Sequence, residues 1–107
     1  MKKLAVLTAA ILMCGACNSA QAGHMQEYED SMKQMHHGMM IEYSDDADAD
    51  FIRGMIPHHQ GAINMAKIQL KYGTDPVIRK LAEAIIIAQE QEIAQMELWL
   101  EKRNKNK

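Results

Sequence analysis

Six soft or imidazole donors fall within nine residues of this chain: Met32, Met35, His36, His37, Met39 and Met40. Thioethers select Cu(I), for which silver is a surrogate, and imidazole also takes Cu(II), so the segment suits copper in either oxidation state. On a helix Met32, Met35, His36 and Met39 share one face. Plain packing competes with this reading. A methionine seam at heptad spacing accounts for Met25, Met32, Met35 and Met39, but not for His36, His37 and Met40. A second group comprises Met55, His58, His59 and Met65 in one segment and Glu92 and Met96 in another. Together they would make a mixed N, S and O site. In the competing reading His59 is a core histidine hydrogen-bonded to Gln89 or Glu92, His58 is a rim residue and the methionines are packing. A buried carboxylate needs a partner, and histidine supplies one without metal.

Helices must position these donors. From His24 to about Tyr43, Met25, Tyr28, Met32, Met35 and Met39 recur at heptad spacing and predict a first helix. The acidic run Asp45, Asp46, Asp48 and Asp50 offers N-cap residues and negative charge for the start of a second. In that helix Ile52, Ile56, His59, Ile63, Ala66 and Leu70 form a stripe, and Gly73 ends it. Pro57 removes a hydrogen bond to the Arg53 carbonyl and should kink the axis beside the histidine pair. Thr74, Asp75 and Pro76 read as a cap followed by proline at the first helical position. The third helix should run to about Lys102, with a stripe of Ile78, Leu81, Ile85, Ala88, Glu92, Met96 and Trp99. No segment alternates with period two over a strand's length, so the expected fold is all-α: a three-helix bundle, or half of a dimeric four-helix bundle.

The second and third helices must run antiparallel across their tight turn, so facing residues have numbers summing to about 149. Gln89 and Glu92 then come level with His58 and His59, and Met96 comes near Met55. His58 and His59 point about 100° apart, so one faces the core and the other its edge.

Lys2 and Lys3 precede an apolar run from Leu4 to Met13, followed by Ala20, Gln21 and Ala22, the pattern of an export signal. The run is too short to cross roughly 30 Å of hydrocarbon at about 1.5 Å per residue. Cys14 and Cys17 both lie in this segment, and cleavage after Ala22 removes them. Lipidation at Cys17 competes, because Gly15 and Ala16 are the small residues that a bacterial lipoprotein signal places before its cysteine. Either way the domain is exported, to the periplasm. The chain divides into a signal peptide over 1–22, a Met/His-rich first helix with its acidic linker over 23–47, a helical hairpin over 48–103 and a basic tail over 104–107.

The part after the signal is small enough to bury only roughly 60 to 65 % of its unfolded surface, so a metal, staple or partner chain is expected. The full chain has ten methionines and five histidines but only 5 % aromatics, which asks for a reason beyond packing. Without Lys2 and Lys3, 10 basic residues stand against 14 acidic ones, a net charge of −4 that disfavours nucleic acid. Lys102, Arg103, Lys105 and Lys107 suit a helix C-terminus and a fraying tail. No histidine has an acidic residue three before it, as carboxylate di-iron bundles require. HExxH, a glycine-rich phosphate loop and, after cleavage, any cysteine nucleophile are also missing. No enzymatic reaction is expected.

The stretch Asp48–Leu100, with FIRGMIPHHQGAINMAK followed by LAEAIIIAQEQEIAQMELWL, resembles the domain-of-unknown-function family 305. The pattern matches at Phe51, Met55, Pro57, His58, His59, Ala62, Met65, Ala66, Gln89, Glu92, Ile93, Met96 and Trp99. The resemblance implies an exported, ferritin-like helical protein similar to the CopM-type periplasmic copper-binding proteins associated with copper resistance. It adds copper as the metal, and binding or sequestration as the role. With a single helix before the motif, a homodimer could complete a four-helix-type bundle. Expected partners are metal ions, a second copy and other periplasmic copper-handling proteins, with a membrane only through lipidated Cys17. A function of another class is a metal-independent helical adaptor whose Met-rich face grips a partner protein.

Overall fold

The computed structural model describes the backbone of residues 16–107 and the side chains of residues 23–107. The expected export signal, with Cys14 and Cys17, lies outside the residues whose side chains are described. Three helices follow one another, α1 (Ala16–Met39), α2 (Ala47–Tyr72) and α3 (Pro76–Lys105), and no strand occurs among the described residues. The all-α bundle expected from the sequence is the observed fold. No helix among the described residues is long and apolar enough to cross a membrane.

Local chemistry sets the helix ends. Asp46 caps α2 by accepting from the Ala49 amide at 3.2 Å, and Asp48 and Asp50 occupy the first turn, where negative charge is favoured. Asp50 also accepts from the Ser44 amide at 2.8 Å and its hydroxyl at 2.9 Å, which ties the linker to α2. Asp75 caps α3 by accepting from the Val77 and Ile78 amides, with Pro76 opening the helix. Thr74 takes no part in that cap. Gly73 closes α2 through its amide to the Gln69 carbonyl at 2.7 Å, and Arg79 donates to the Leu70 and Gly73 carbonyls at 2.7 and 2.9 Å. This satisfies acceptors that a helix end leaves open. The helix α2 continues through Pro57.

The first helix stops at Met39, short of the expected Tyr43. Its chain turns as the Ile41 amide donates to the Met39 carbonyl at 2.9 Å, and the Ile41 side chain reaches the Gly54 position of α2. Contact with α2 wins over continued helical pattern in this stretch.

The middle helix carries both neighbours. Gly38 packs on Pro57, Met35 on Gly61 and Gly23 on Tyr72, so α1 lies antiparallel against α2 through close approaches that glycine permits. On the other side the pairs His59–Glu92 and Asp46–Arg103 have numbers summing to 151 and 149, the register expected for the hairpin. α1 and α3 do not approach one another directly among the described residues.

This open arrangement corrects the predicted face of α3. Its buried positions are Ala82 and Met96, with Gln89 half-buried at the heptad position between them, whereas Ile78 and Leu81 are 43 % and 54 % exposed. Small Ala82 lets α3 close on α2, and the larger apolar side chains turn toward the gap before α1. Arg103, expected to belong to a solvated basic end, binds Asp46 through Nη2 at 2.9 Å and Nε at 3.0 Å and lies 5.0 Å over the Trp99 ring. It joins the end of α3 to the start of α2.

Candidate metal centre

His59 is buried in the seam between α2 and α3, and its Nε2 is hydrogen-bonded to Glu92 Oε2. The hairpin register produces this pair directly, since the tight turn at Gly73 and the caps on either side fix which turns of the helices meet. Met96 is buried one turn beyond Glu92, and Met55 is half-buried one turn before His59. Met55 and Met96 have numbers summing to 151 as well, so the two thioethers occupy facing turns. His58 is exposed, its ring centroid 6.1 Å from that of His59. This is the division between core and edge expected of adjacent histidines.

Two buried side-chain atoms in this region have no hydrogen-bond partner, His59 Nδ1 and Gln89 Oε1. Buried polar groups are nearly always satisfied, by protein, water or ligand, so these two atoms mark where a functional contact is to be sought. A carboxylate only accepts, so Glu92 pairs with a His59 Nε2 that carries a hydrogen, and in a ring with one proton Nδ1 keeps its lone pair. The donor chemistry fits a soft cation, because an imidazole lone pair and an amide oxygen stand in the same seam as two thioethers.

The remaining predicted donors do not gather there. Met65 is 52 % exposed and borders an apolar groove with Tyr28, Ser31, Met32, Met35 and Gly61, of about 290 Å³. The groove continues as a second space of about 310 Å³ between Tyr28 of α1 and Ile78, Leu81 and Ile85 of α3, floored by Ala62, Met65 and Ala66. His37 lies on a different side of α1, in a cleft with Asp30, Lys33 and Lys67. His36, Met39 and Met40 are exposed. Six donors close in sequence are thus distributed around and beyond the end of a helix, because neighbouring residues diverge by about 100°. Among the described residues no three His, Cys, Asp or Glu side chains gather into a metal-holding group. A site here draws on sulfur or amide oxygen.

The sequence reading found the His59–Glu92 pair but treated Gln89 only as a partner for His59. Its level in the register was the available signal. Arg79 was missed as the residue that closes α2, since nothing in a helical pattern marks an arginine that folds back onto carbonyls.

A three-helix layer with a histidine–carboxylate pair across its hairpin is the class of protein these features define. The chain belongs to the family described as a domain of unknown function, DUF305, whose model matches residues 10–100. That match takes in α1 as well as the hairpin motif. The chain is also similar to the uncharacterized protein L153 of Acanthamoeba polyphaga mimivirus, at 45 % identity over 56 residues. The aligned part is 52 % of this chain and 37 % of that protein, so little more than a third of the relative is covered.

Proposed function

We propose that this chain is an exported copper-binding protein that takes Cu(I), with silver as a surrogate and Cu(II) at its imidazoles, and serves periplasmic sequestration, resistance or delivery. The observation that carries the reading is buried His59, with one ring nitrogen on Glu92 and the other unpartnered, in a seam shared with Met55 and Met96. Thioether and imidazole together suit copper better than hard cations, which prefer oxygen. The resemblance that the hairpin motif suggests to ferritin-like, CopM-type proteins points the same way, and so does the expected export pattern before Gly23. The metal is cargo in this reading, and no reaction is assigned.

Anaerobic Cu(I) titration of the exported protein against a competing chelator, with native mass spectrometry for stoichiometry, tests it. Uptake of one or more ions per chain supports copper binding. No uptake against even a weak chelator overturns it.

The apolar groove between α1 and α3 favours a second reading, a metal-independent adaptor whose Met32, Met35 and Met65 grip a partner. Pull-down from a periplasmic extract with copper chelated separates the two. A specific partner retained under chelation supports the adaptor, and its absence counts against it.

A further inference from the structure

We propose that His59 receives copper through Nδ1 and that Glu92 is a positioning residue which holds the ring in the required tautomer. The inference rests on the copper reading and deepens it by naming the donor atom.

Glu92 would at first sight be a ligand, as a carboxylate level with two histidines. Its Oε2 is already committed to His59 Nε2, while the side chain is 55 % exposed and reaches water on its other side. Binding metal through that oxygen would break the contact that orients the ring. Nδ1 needs no such rearrangement, for it is buried and unpartnered as it stands. A carboxylate that accepts from one imidazole nitrogen makes the other more basic and fixes its direction, a general arrangement around metal-bound histidine.

The character of the guest follows from its neighbours. Nδ1 in this tautomer is an acceptor, so whatever satisfies it must bring positive charge or donate a hydrogen bond. Water could donate to it, but the turn before His59 carries half-buried Met55 and the turn after Glu92 carries buried Met96. Thioethers are weak hydrogen-bond acceptors and good ligands for Cu(I). The seam therefore favours a soft cation over water.

Long-range proton–nitrogen correlation spectra of the protein with ¹⁵N-labelled histidine read the tautomer before any metal is added. His59 is expected to carry its proton on Nε2, and a proton held on Nδ1 overturns the inference. On anaerobic addition of Cu(I), the Nδ1 resonance should move strongly while Nε2 keeps its proton. Copper bound through Nε2 overturns this inference alone and leaves the copper reading standing. No copper bound, with the Nε2 proton in place, overturns both.

Substitutions give a second readout. Glu92→Leu should lower Cu(I) affinity by about 10- to 100-fold, the range for loss of an orienting partner. Glu92→Gln retains an acceptor oxygen and should recover most of that loss, with helix content unchanged in both variants. Equal loss in both variants would instead mark Glu92 as a charged ligand and overturn its positioning role.

Discussion

Met35 of α1 lies across Gly61 of α2, where a β-carbon would stand 2.6 Å from the Met35 sulfur and 2.9 Å from its Cγ. The glycine is buried in mid-helix, where it costs about 1 kcal/mol relative to alanine, and the close approach of α1 explains its presence. Gly61→Ala gains that propensity but overpacks the contact, which costs about 1–3 kcal/mol. The expected net effect is a loss of about 1 kcal/mol in urea unfolding. Met35→Ala in the same background should relieve the clash, so the double-mutant cycle shows strong coupling. A Gly61→Ala variant more stable than wild type would show that α1 is not seated here. The same contact packs the Met35 sulfur against α2.

The opposite end of the α1–α2 interface depends on charge. Glu27 Oε1 accepts from Lys71 Nζ and, at 2.9 Å, from the Tyr72 hydroxyl. These hydrogen bonds, that of Lys71 first, hold the Glu27 carboxyl below its ordinary value of 4.5. Glu27 likewise raises Lys71 above its ordinary 10.5. A depressed carboxyl contributes stability above its unfolded value, and the contribution disappears as pH falls through the lower folded value. A raised amine contributes below its unfolded value and loses it as pH rises through the higher folded one. Glu27→Gln should therefore lower the melting temperature at neutral pH, with the difference from wild type vanishing in acid. Both groups are solvent-exposed, so the difference should also shrink in high salt. A difference that persists in acid would assign the effect to packing.

Most of the hairpin was legible because its signals are local. Asp46, Gly73 and the Asp75–Pro76 pair mark helix ends by backbone chemistry, and the short turn between α2 and α3 leaves one antiparallel register, which brings His59 to Glu92. Rotation about the helix axis was harder to read. α3 carries apolar side chains on more than one face, and hydrophobicity alone favours Ile78 and Leu81 over Ala82 for the seam. Only the close approach of α2 selects the small residue. The cluster at the end of α1 is harder to read for a related reason: Met32, Met35, His36 and Met39 share a helical face, whereas His37 points elsewhere and Met40 lies beyond the helix end.

That rotation can be checked by substitution. Leu81 is 54 % exposed and Ala82 only 4 %. Leu81→Ala should cost less than about 1 kcal/mol, well under the 2–5 kcal/mol of a buried leucine. Ala82→Leu should cost about 1–3 kcal/mol by forcing α3 away from α2. Unfolding curves of the two variants decide the matter. A large loss for Leu81→Ala at high protein concentration, falling away on dilution, would show that a second copy covers the groove.

The two donor groups can be separated by the copper they hold. His36, His37, Met39 and Met40 are exposed and lie at or beyond the end of α1, so replacing all four should leave helix content unchanged. His59 and Met96 are instead buried between α2 and α3. If both groups bind, the quadruple variant loses the weaker, faster-exchanging copper and keeps the slower one, while His59→Leu does the reverse. Native mass spectrometry under chelator competition reads the difference as a change in stoichiometry at each chelator strength. Unchanged stoichiometry and affinity in the quadruple variant would remove α1 from copper handling. The hairpin seam would then carry the function alone, and the exposed methionines would belong with the apolar groove that Met32 and Met65 already border.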